Sequence, residues 1–227
     1  MKYYAIIVAG GSGNRMKSTV AKQFLLLNEK PVLMHTISAF HECKLKPQIL
    51  LVLNIEQHKY WEELCATYNF NIPHQVLKGG EQRFHSVKNG LKTIKGKGVV
   101  AVHDAVRPLI SPELILKSYQ FAQTNSNCVV GIKPTDSVRK TLENGDSQAI
   151  NRTELMLIQT PQTFDVDLLK KAYQTAFRNE FTDDASVVEY TGATIHLIEG
   201  ERTNIKITYP EDLAIASVLL QNRKETT

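Results

Sequence analysis

The sequence predicts an α/β fold: a mostly parallel sheet with helices on both faces and one inserted β-arm. Three observations carry that prediction. Short apolar runs recur at residues 3–8, 48–53, 99–103 and 127–132, the pattern of strands buried on both faces. Amphipathic segments with helix-start signals stand between them, as parallel crossovers require. Only the stretch 134–158 breaks this rhythm, with two strand-like runs around a turn signal.

The first run, Tyr3-Tyr4-Ala5-Ile6-Ile7-Val8, reads as a buried strand that leads into a glycine-rich loop. Residues 48–53 (QILLVL) form a second strand. Asn54-Ile55-Glu56-Gln57 is a capping-box pattern opening a helix to about residue 68, with Trp61 and Leu64 on its core face. Residues 73–77 make a short strand ahead of Lys78-Gly79-Gly80, and residues 83–94 a helix with Val87, Leu91 and Ile94 on one face. After the strand at 99–103, Ser111-Pro112-Glu113 starts a helix with proline at its first position. Residues 127–132 are a further strand.

Within the arm, strands at 137–142 and 147–152 flank Glu143-Asn144-Gly145-Asp146, and apolar residues 155–158 follow. Asp165 then caps a helix to about residue 178, and Thr182 caps a short one ending near Gly192. Residues 204–208 read as a strand, and Tyr209-Pro210-Glu211-Asp212 opens the last helix. No repeat or linker interrupts the series, so residues 1–227 are expected to form one domain with the arm at about 134–158. A hairpin of that length has little core of its own. It either folds onto its own domain or pairs with a second subunit.

Composition narrows the function. With 42% hydrophobic and 22% charged residues the chain is an ordinary globular protein, neither disordered nor membrane-embedded. A formal charge of +4, without a Lys/Arg-rich run, argues against nucleic acid as a partner. Cys43, Cys65 and Cys128 are too scattered for a disulfide framework or zinc site and read as small apolar residues in a reducing compartment. Met1-Lys2 leads straight into the first strand, and no apolar stretch approaches the roughly 20 residues that span a bilayer. The expected location is the cytoplasm, without membrane attachment.

The chemistry concentrates in Val8-Ala9-Gly10-Gly11-Ser12-Gly13-Asn14-Arg15-Met16, with Lys22 seven residues beyond Arg15. Glycines let the backbone turn off the strand and aim N–H groups at an anion, while Arg15 and Lys22 add full positive charge. This suits a nucleoside triphosphate. It is not a P-loop, because the Gly-Lys-Ser/Thr triplet is missing. Nor is it the dinucleotide fingerprint, because Met16 stands where the third glycine belongs.

Asp104 lies at the carboxyl end of its strand, where ligands of open α/β sheets bind. A carboxylate there suits Mg²⁺ held together with phosphates; the alternative is an arginine-paired Asp. His103 reads as structural. Gly79-Gly80-Glu81-Gln82-Arg83, with Ser86 in the first helical turn, is a second glycine turn whose N–H groups suit the polar edge of a base. From its own segment, Lys206 reads as a surface lysine on an edge strand.

Taken together the motifs resemble the cytidylyltransferases that act on polyol phosphates, above all the 2-C-methyl-D-erythritol 4-phosphate type. The resemblance runs from about Ile6 to Ala216. It rests on the glycine loop, Lys22-Gln23-Phe24, Gly79-Gly80-Glu81-Gln82-Arg83 with Ser86-Val87, and His103-Asp104-Ala105-Val106-Arg107-Pro108. Further on it includes Asp136-Ser137-Val138-Arg139, Arg152, Thr160-Pro161-Gln162, Thr182-Asp183-Asp184-Ala185-Ser186 and residues 204–213.

The resemblance implies a Rossmann-like nucleotidyltransferase fold whose β-arm joins a homodimer. It implies that Arg15, Lys22 and Lys206 are catalytic cations and that Asp104 binds Mg²⁺. Val8, Ala9, Gly10, Gly11, Gly13, Gly80, Ser86 and Asp104 would hold CTP. Arg107, Thr160 and Thr182 would line the polyol-phosphate side, and Ser137 and Arg152 would reach the partner's site. Two positions depart from the family pattern: Ala21 replaces a usual proline, and Val8 a usual alanine.

The implied reaction joins CTP to 2-C-methyl-D-erythritol 4-phosphate, releasing pyrophosphate, in isoprenoid precursor synthesis by the non-mevalonate route. Its nucleophile is a phosphate oxygen, already ionised near neutral pH because the second pKa is about 6. No general base is required, which matches the lack of a Ser/His/Asp or paired-carboxylate device in the sequence. A ribitol 5-phosphate cytidylyltransferase and a non-catalytic CTP sensor are the competing readings.

Overall fold

Alternation along the first strand builds the two layers of the molecule. Ala5 and Ile7 enter the core on one side of the sheet, while Tyr4, Ile6 and Val8 enter it on the other. Apolar residues therefore face helices on both sides. The computed structural model describes residues 1–9 and 20–225.

In chain order, β1 (Tyr3–Val8) precedes a 3-10 turn at Lys22–Phe24 and the small strand pair β2 (Leu26–Leu27) and β3 (Lys30–Pro31). Then come α1 (Val32–Glu42), β4 (Gln48–Leu53), a 3-10 turn at Ile55–Gln57, α2 (His58–Thr67), β5 (Gln75–Lys78) and α3 (Arg83–Thr93). β6 (Val99–Asp104), α4 (Pro112–Asn125) and β7 (Asn127–Ile132) lead to the hairpin β8 (Val138–Thr141) and β9 (Ser147–Ile150). A 3-10 turn at Arg152–Glu154, β10 (Leu157–Asp165), α5 (Val166–Ala172), α6 (Asp184–Glu189), β11 (Leu197–Glu199) and α7 (Pro210–Glu225) complete the chain.

Seven strands form one sheet in the order β11-β7-β10-β6-β1-β4-β5. The pairings β1–β4, β1–β6, β4–β5 and β11–β7 are parallel, and β10 alone runs antiparallel, between β6 and β7. α1, α2 and α4 pack on one face through Leu33, Phe40, Trp61 and Tyr119. α3, α5 and α6 cover the other through Phe84, Val87, Leu169 and Val188.

The chain steps outward from β1 to β4 and β5, then returns to β6 on the opposite side of β1. That reversal opens a crevice at the carboxyl ends of β1 and β6. Val8 and Asp104 face each other there in register.

Several boundaries depart from expectation. Asn54 caps a 3-10 turn rather than the helix itself, accepting from the Glu56 N–H at 3.2 Å. The helix after Asp165 ends at Ala172. Asp183, not Thr182, caps α6, through a reciprocal capping box with Ser186. Residues 204–208 are not a strand: they run without regular secondary structure and are docked by Ile207, whose N–H donates to the Val106 carbonyl at 2.9 Å. Apolar alternation occurs in that segment because Ile207 fills a small third core with Leu27, Val106 and Ala216, not because it joins a sheet. The run at 155–158 is the start of the long strand β10, and the elements α1, β2, β3 and β11 carried no expectation.

The hairpin β8–β9 pairs only with itself among the described residues, and most of it is exposed. No helix of the described residues is long and apolar enough to cross a membrane. Cys43 and Cys128 are buried, and Cys65 is half-buried. Burial pushes the Cys65 thiol up to about 11 and that of Cys128 to about 12, so both stay protonated.

Candidate active site

The crevice is built around one carboxylate. Asp104 ends β6, where a strand stops pairing and its last side chain faces the open edge. Its backbone N–H donates to Thr160 Oγ1 at 3.1 Å. Lys206 Nζ lies 2.9 Å from Oδ2, Arg83 Nε 3.4 Å from Oδ1, and Arg107 Nε 3.8 Å from Oδ2. Burial alone would raise the pKa of Asp104, but Arg83 and Lys206 outweigh it and hold the carboxyl well below the usual range. Of the two sequence readings of Asp104, the structure shows the arginine-paired one, at the open carboxyl end of β6.

Each cation arrives by a separate route. Lys22 opens the 3-10 turn whose next residue, Gln23, is buried and donates to the Ala9 carbonyl at 3.0 Å and to Gln57 Oε1 at 2.9 Å. The turn is thereby tied to the end of β1. Arg83 is the first residue of α3 and also reaches Asp184 Oδ2 at 2.7 Å. Arg107 is buried, and its Nη1 donates to the Asn204 carbonyl at 2.7 Å. Its Nε is buried without a hydrogen-bond acceptor among the described residues.

Lys206 is held between two anchors. On one side Asn204, fully buried, donates from Nδ2 to the Thr160 carbonyl at 2.9 Å; on the other Ile207 is fully buried. The expectation of a plain surface lysine is corrected: the side chain reaches inward to Asp104 and remains 41% exposed.

Two adjoining clefts share Arg83, Asp104 and Lys206. The first, about 360 Å³, is lined also by Val8, Ala9, Lys22, Gln23, Glu81, Gln82 and Val106. The second, about 220 Å³, adds Arg107, Ile158, Gln159, Thr160, Gln162, Thr182 and Asp183. One ligand in each would meet at the shared residues.

Of the sequence-derived site residues, the structure brings Val8, Ala9, Lys22, Asp104, Arg107, Thr160, Thr182 and Lys206 to these two clefts. Thr160 lines the second cleft, but its hydroxyl accepts from Asp104 and contacts His103 Nδ1 at 3.1 Å, so it holds Asp104 in place. Gly80 and Ser86 line neither cleft: the Gly80 N–H donates to Ser86 Oγ at 3.0 Å and closes the turn that presents Glu81, Gln82 and Arg83. A Cβ on Gly80 would sit 2.3 Å from that of His85, so this close turn requires glycine. Ser137 and Arg152 lie on the exposed arm, with Arg152 Nη1 donating to the Thr135 carbonyl. Gly10, Gly11, Gly13 and Arg15 lie outside the described residues.

Sequence reasoning quoted Arg83 and Asp184 within motifs but gave neither a role. An arginine at a helix start right after a glycine turn was the signal available for the first. A buried Asp two residues past Thr182 offered none.

His103 is structural. It is fully buried, with Nε2 3.2 Å from the Arg107 carbonyl and Nδ1 facing Thr160. Burial pushes its pKa down to about 4.

A crevice at the sheet's switch point, with two clefts that share Arg83, Asp104 and Lys206, fits the nucleotidyltransferase class. The sequence matches the 2-C-methyl-D-erythritol 4-phosphate cytidylyltransferase family over residues 3–222, and the chain belongs to that family. A protein of that name from Bacteroides fragilis is 51% identical over 95% of this chain and 98% of its own length. Another, from Phocaeicola vulgatus, is 49% identical over 97% of this chain and 100% of its own. Among solved structures, the 4-diphosphocytidyl-2C-methyl-D-erythritol synthase of Anaerococcus prevotii superposes with a TM-score of 0.83 at 28% identity, covering 97% of this chain and 96% of that one.

Proposed function

We propose that this protein transfers the cytidylyl group of CTP to 2-C-methyl-D-erythritol 4-phosphate, giving 4-diphosphocytidyl-2-C-methyl-D-erythritol and pyrophosphate for isoprenoid precursor synthesis by the non-mevalonate route. The observation that carries it is the sharing of Asp104, Lys206 and Arg83 by two adjoining clefts within a chain of this family. CTP takes the first cleft, with Arg15, Lys22 and the loop of Gly10, Gly11 and Gly13 on its phosphates and Val8, Ala9 and the Gly80–Ser86 turn around the cytosine. The polyol phosphate takes the second, against Arg107, Thr182 and Lys206, with Thr160 acting through Asp104.

An ionised oxygen of the acceptor phosphate bonds to the α-phosphorus of CTP, and the bond to the β-phosphate's bridging oxygen breaks. The obstacle is anion meeting anion, so catalysis consists of alignment and charge neutralisation. Lys206 suits both tasks, because it is anchored on two sides and reaches either cleft. His103 takes no part in proton transfer, since it is buried, neutral and hydrogen-bonded within the fold.

Mg²⁺ fits the donor set. Asp104 offers a single carboxylate to both clefts, which suits an ion held mainly by phosphates and water. Asp104 would hold it, and the ion would supply neutralisation of phosphate charge.

The exposed arm supports a homodimer in which Ser137 and Arg152 complete the partner's site. Residues 1–227 then act as one catalytic domain with the arm at about 134–158. Free, largely buried cysteines accord with the cytoplasm. Pyrophosphate release from CTP and Mg²⁺ with either 2-C-methyl-D-erythritol 4-phosphate or ribitol 5-phosphate tests the assignment. Release with the erythritol compound is expected. Release only with the ribitol compound, or with neither despite CTP binding, overturns it.

A further inference from the structure

The Arg83–Asp184 pair is not explained by stability. Asp184 is fully buried at the first turn of α6. Removing a carboxylate from water costs as much as its ion pair returns, so a buried pair of this kind adds little over an apolar replacement. Neither is Arg83 required to balance Asp104, which already has Lys206 at 2.9 Å and Arg107 close by. Arg83, Arg107 and Lys206 set against Asp104 and Asp184 leave one positive charge over, and a phosphate is the ligand that balances it.

The geometry of the pair is that of a held tool. Arg83 Nη2 donates to Asp184 Oδ2 at 2.7 Å, while Tyr173 donates its hydroxyl to Oδ1 at 2.6 Å, so both oxygens are engaged. Gln162 clamps the start of α6, accepting from the Ala185 N–H at 2.9 Å and donating to Asp183 Oδ2 at 2.8 Å. Asp184 is thus fixed from three directions. The guanidinium it grips lines both clefts, and its Nη1 takes part in neither ion pair.

We infer that Arg83 is a further catalytic residue, contacting the phosphate at the junction of the two clefts, and that Asp184 and Tyr173 are positioning residues that hold its guanidinium there. This rests on the transferase reading above.

A double-mutant cycle separates positioning from mere structure. Arg83→Ala, Asp184→Asn and their combination are compared for kcat, for KM of both substrates and for CTP affinity by calorimetry. Circular dichroism and melting follow the fold. Arg83→Ala is expected to lower kcat/KM about 10²-fold, and Asp184→Asn to approach that loss by misplacing the guanidinium. In the Arg83→Ala background, Asp184→Asn should cost nothing further. A role of Asp184 independent of Arg83 would instead cost the same factor in both backgrounds, and that result overturns the inference, as does an Arg83→Ala enzyme with unchanged kcat/KM.

Should Asp184→Asn not fold, Tyr173→Phe replaces it. That change keeps the ring stacked on Phe84 (centroids 4.6 Å apart) and removes one hydrogen bond, for an expected loss of about tenfold that vanishes without Arg83. If the wild-type protein releases no pyrophosphate, the transferase reading fails by itself, and the same cycle on CTP affinity still decides the role of Arg83.

Discussion

Replacing Lys206 by methionine should separate activity from stability. Lys206 Nζ lies 2.9 Å from Asp104 Oδ2. At that distance the bare attraction is about 6 kcal/mol at an effective dielectric of about 20, and about 1.4 kcal/mol in bulk water. With 41% of the lysine side chain exposed, the lower figure governs, and side-chain ordering leaves a net contribution of at most about 1 kcal/mol. Methionine keeps most of the stem, and Asp104 retains Arg83 and Arg107. For a chain of this size the melting temperature should fall by no more than about 4 °C.

Turnover should fall far more. A cation acting only on developing charge is worth about 2.7–4 kcal/mol of barrier, or about 10²–10³ in kcat. Pyrophosphate release under saturating substrates, beside a melting curve of the same preparation, reads both quantities. Near-normal kcat with a large drop in melting temperature would refute the reasoning, since Lys206 would then be a structural counter-ion.

The remaining predictions concern the arm and pH. Arg152→Ala and Lys206→Met proteins should each be nearly inactive, yet regain activity after subunit exchange. Half the dimers are then mixed and each has one intact site, so roughly a quarter of wild-type activity is expected; no recovery in verified mixed dimers would place Arg152 outside the partner's site. His103 predicts a pH effect on stability. Its folded pKa of about 4 lies below the usual 6.5, so the unfolded chain takes up the proton first as pH falls. Its contribution is intact above about pH 6.5 and declines towards pH 4, by about 3 kcal/mol in all. Urea midpoints should drop across that window, and His103→Gln should flatten the slope; an equal slope in the variant would place the titration elsewhere.

Much of the fold was legible because its cause is local. Residues 49–53 and 99–102 read as buried strands, being continuously apolar and short, and Ser111-Pro112 reads as a helix start. The errors fell where tertiary packing overrode pattern. Residues 204–208 alternate like a strand, but the alternation serves to bury Ile207 against Val106 and leave Lys206 beside Asp104. The antiparallel course of β10 was hidden because Thr160, Gln162 and Thr163 are polar yet buried, their hydrogen bonds being supplied by distant residues. Thr182 looked like a helix cap because threonine often is one; Asp183, one residue on, forms the capping box and frees Thr182 to line the second cleft.

The primary structure by itself determined the layered fold and the family, because each is written in local pattern or motif order. Only the tertiary structure decided which charges meet. Lys22, Arg83, Arg107 and Lys206 are spread over most of the chain, and Asp184 is 80 residues beyond Asp104. Their convergence depends on strand order and on buried anchors such as Gln23, Asn204 and Gln162, whose effect is to bring remote backbone segments within hydrogen-bonding distance. No spacing in a linear sequence encodes that distance, because it is set by how the elements pack.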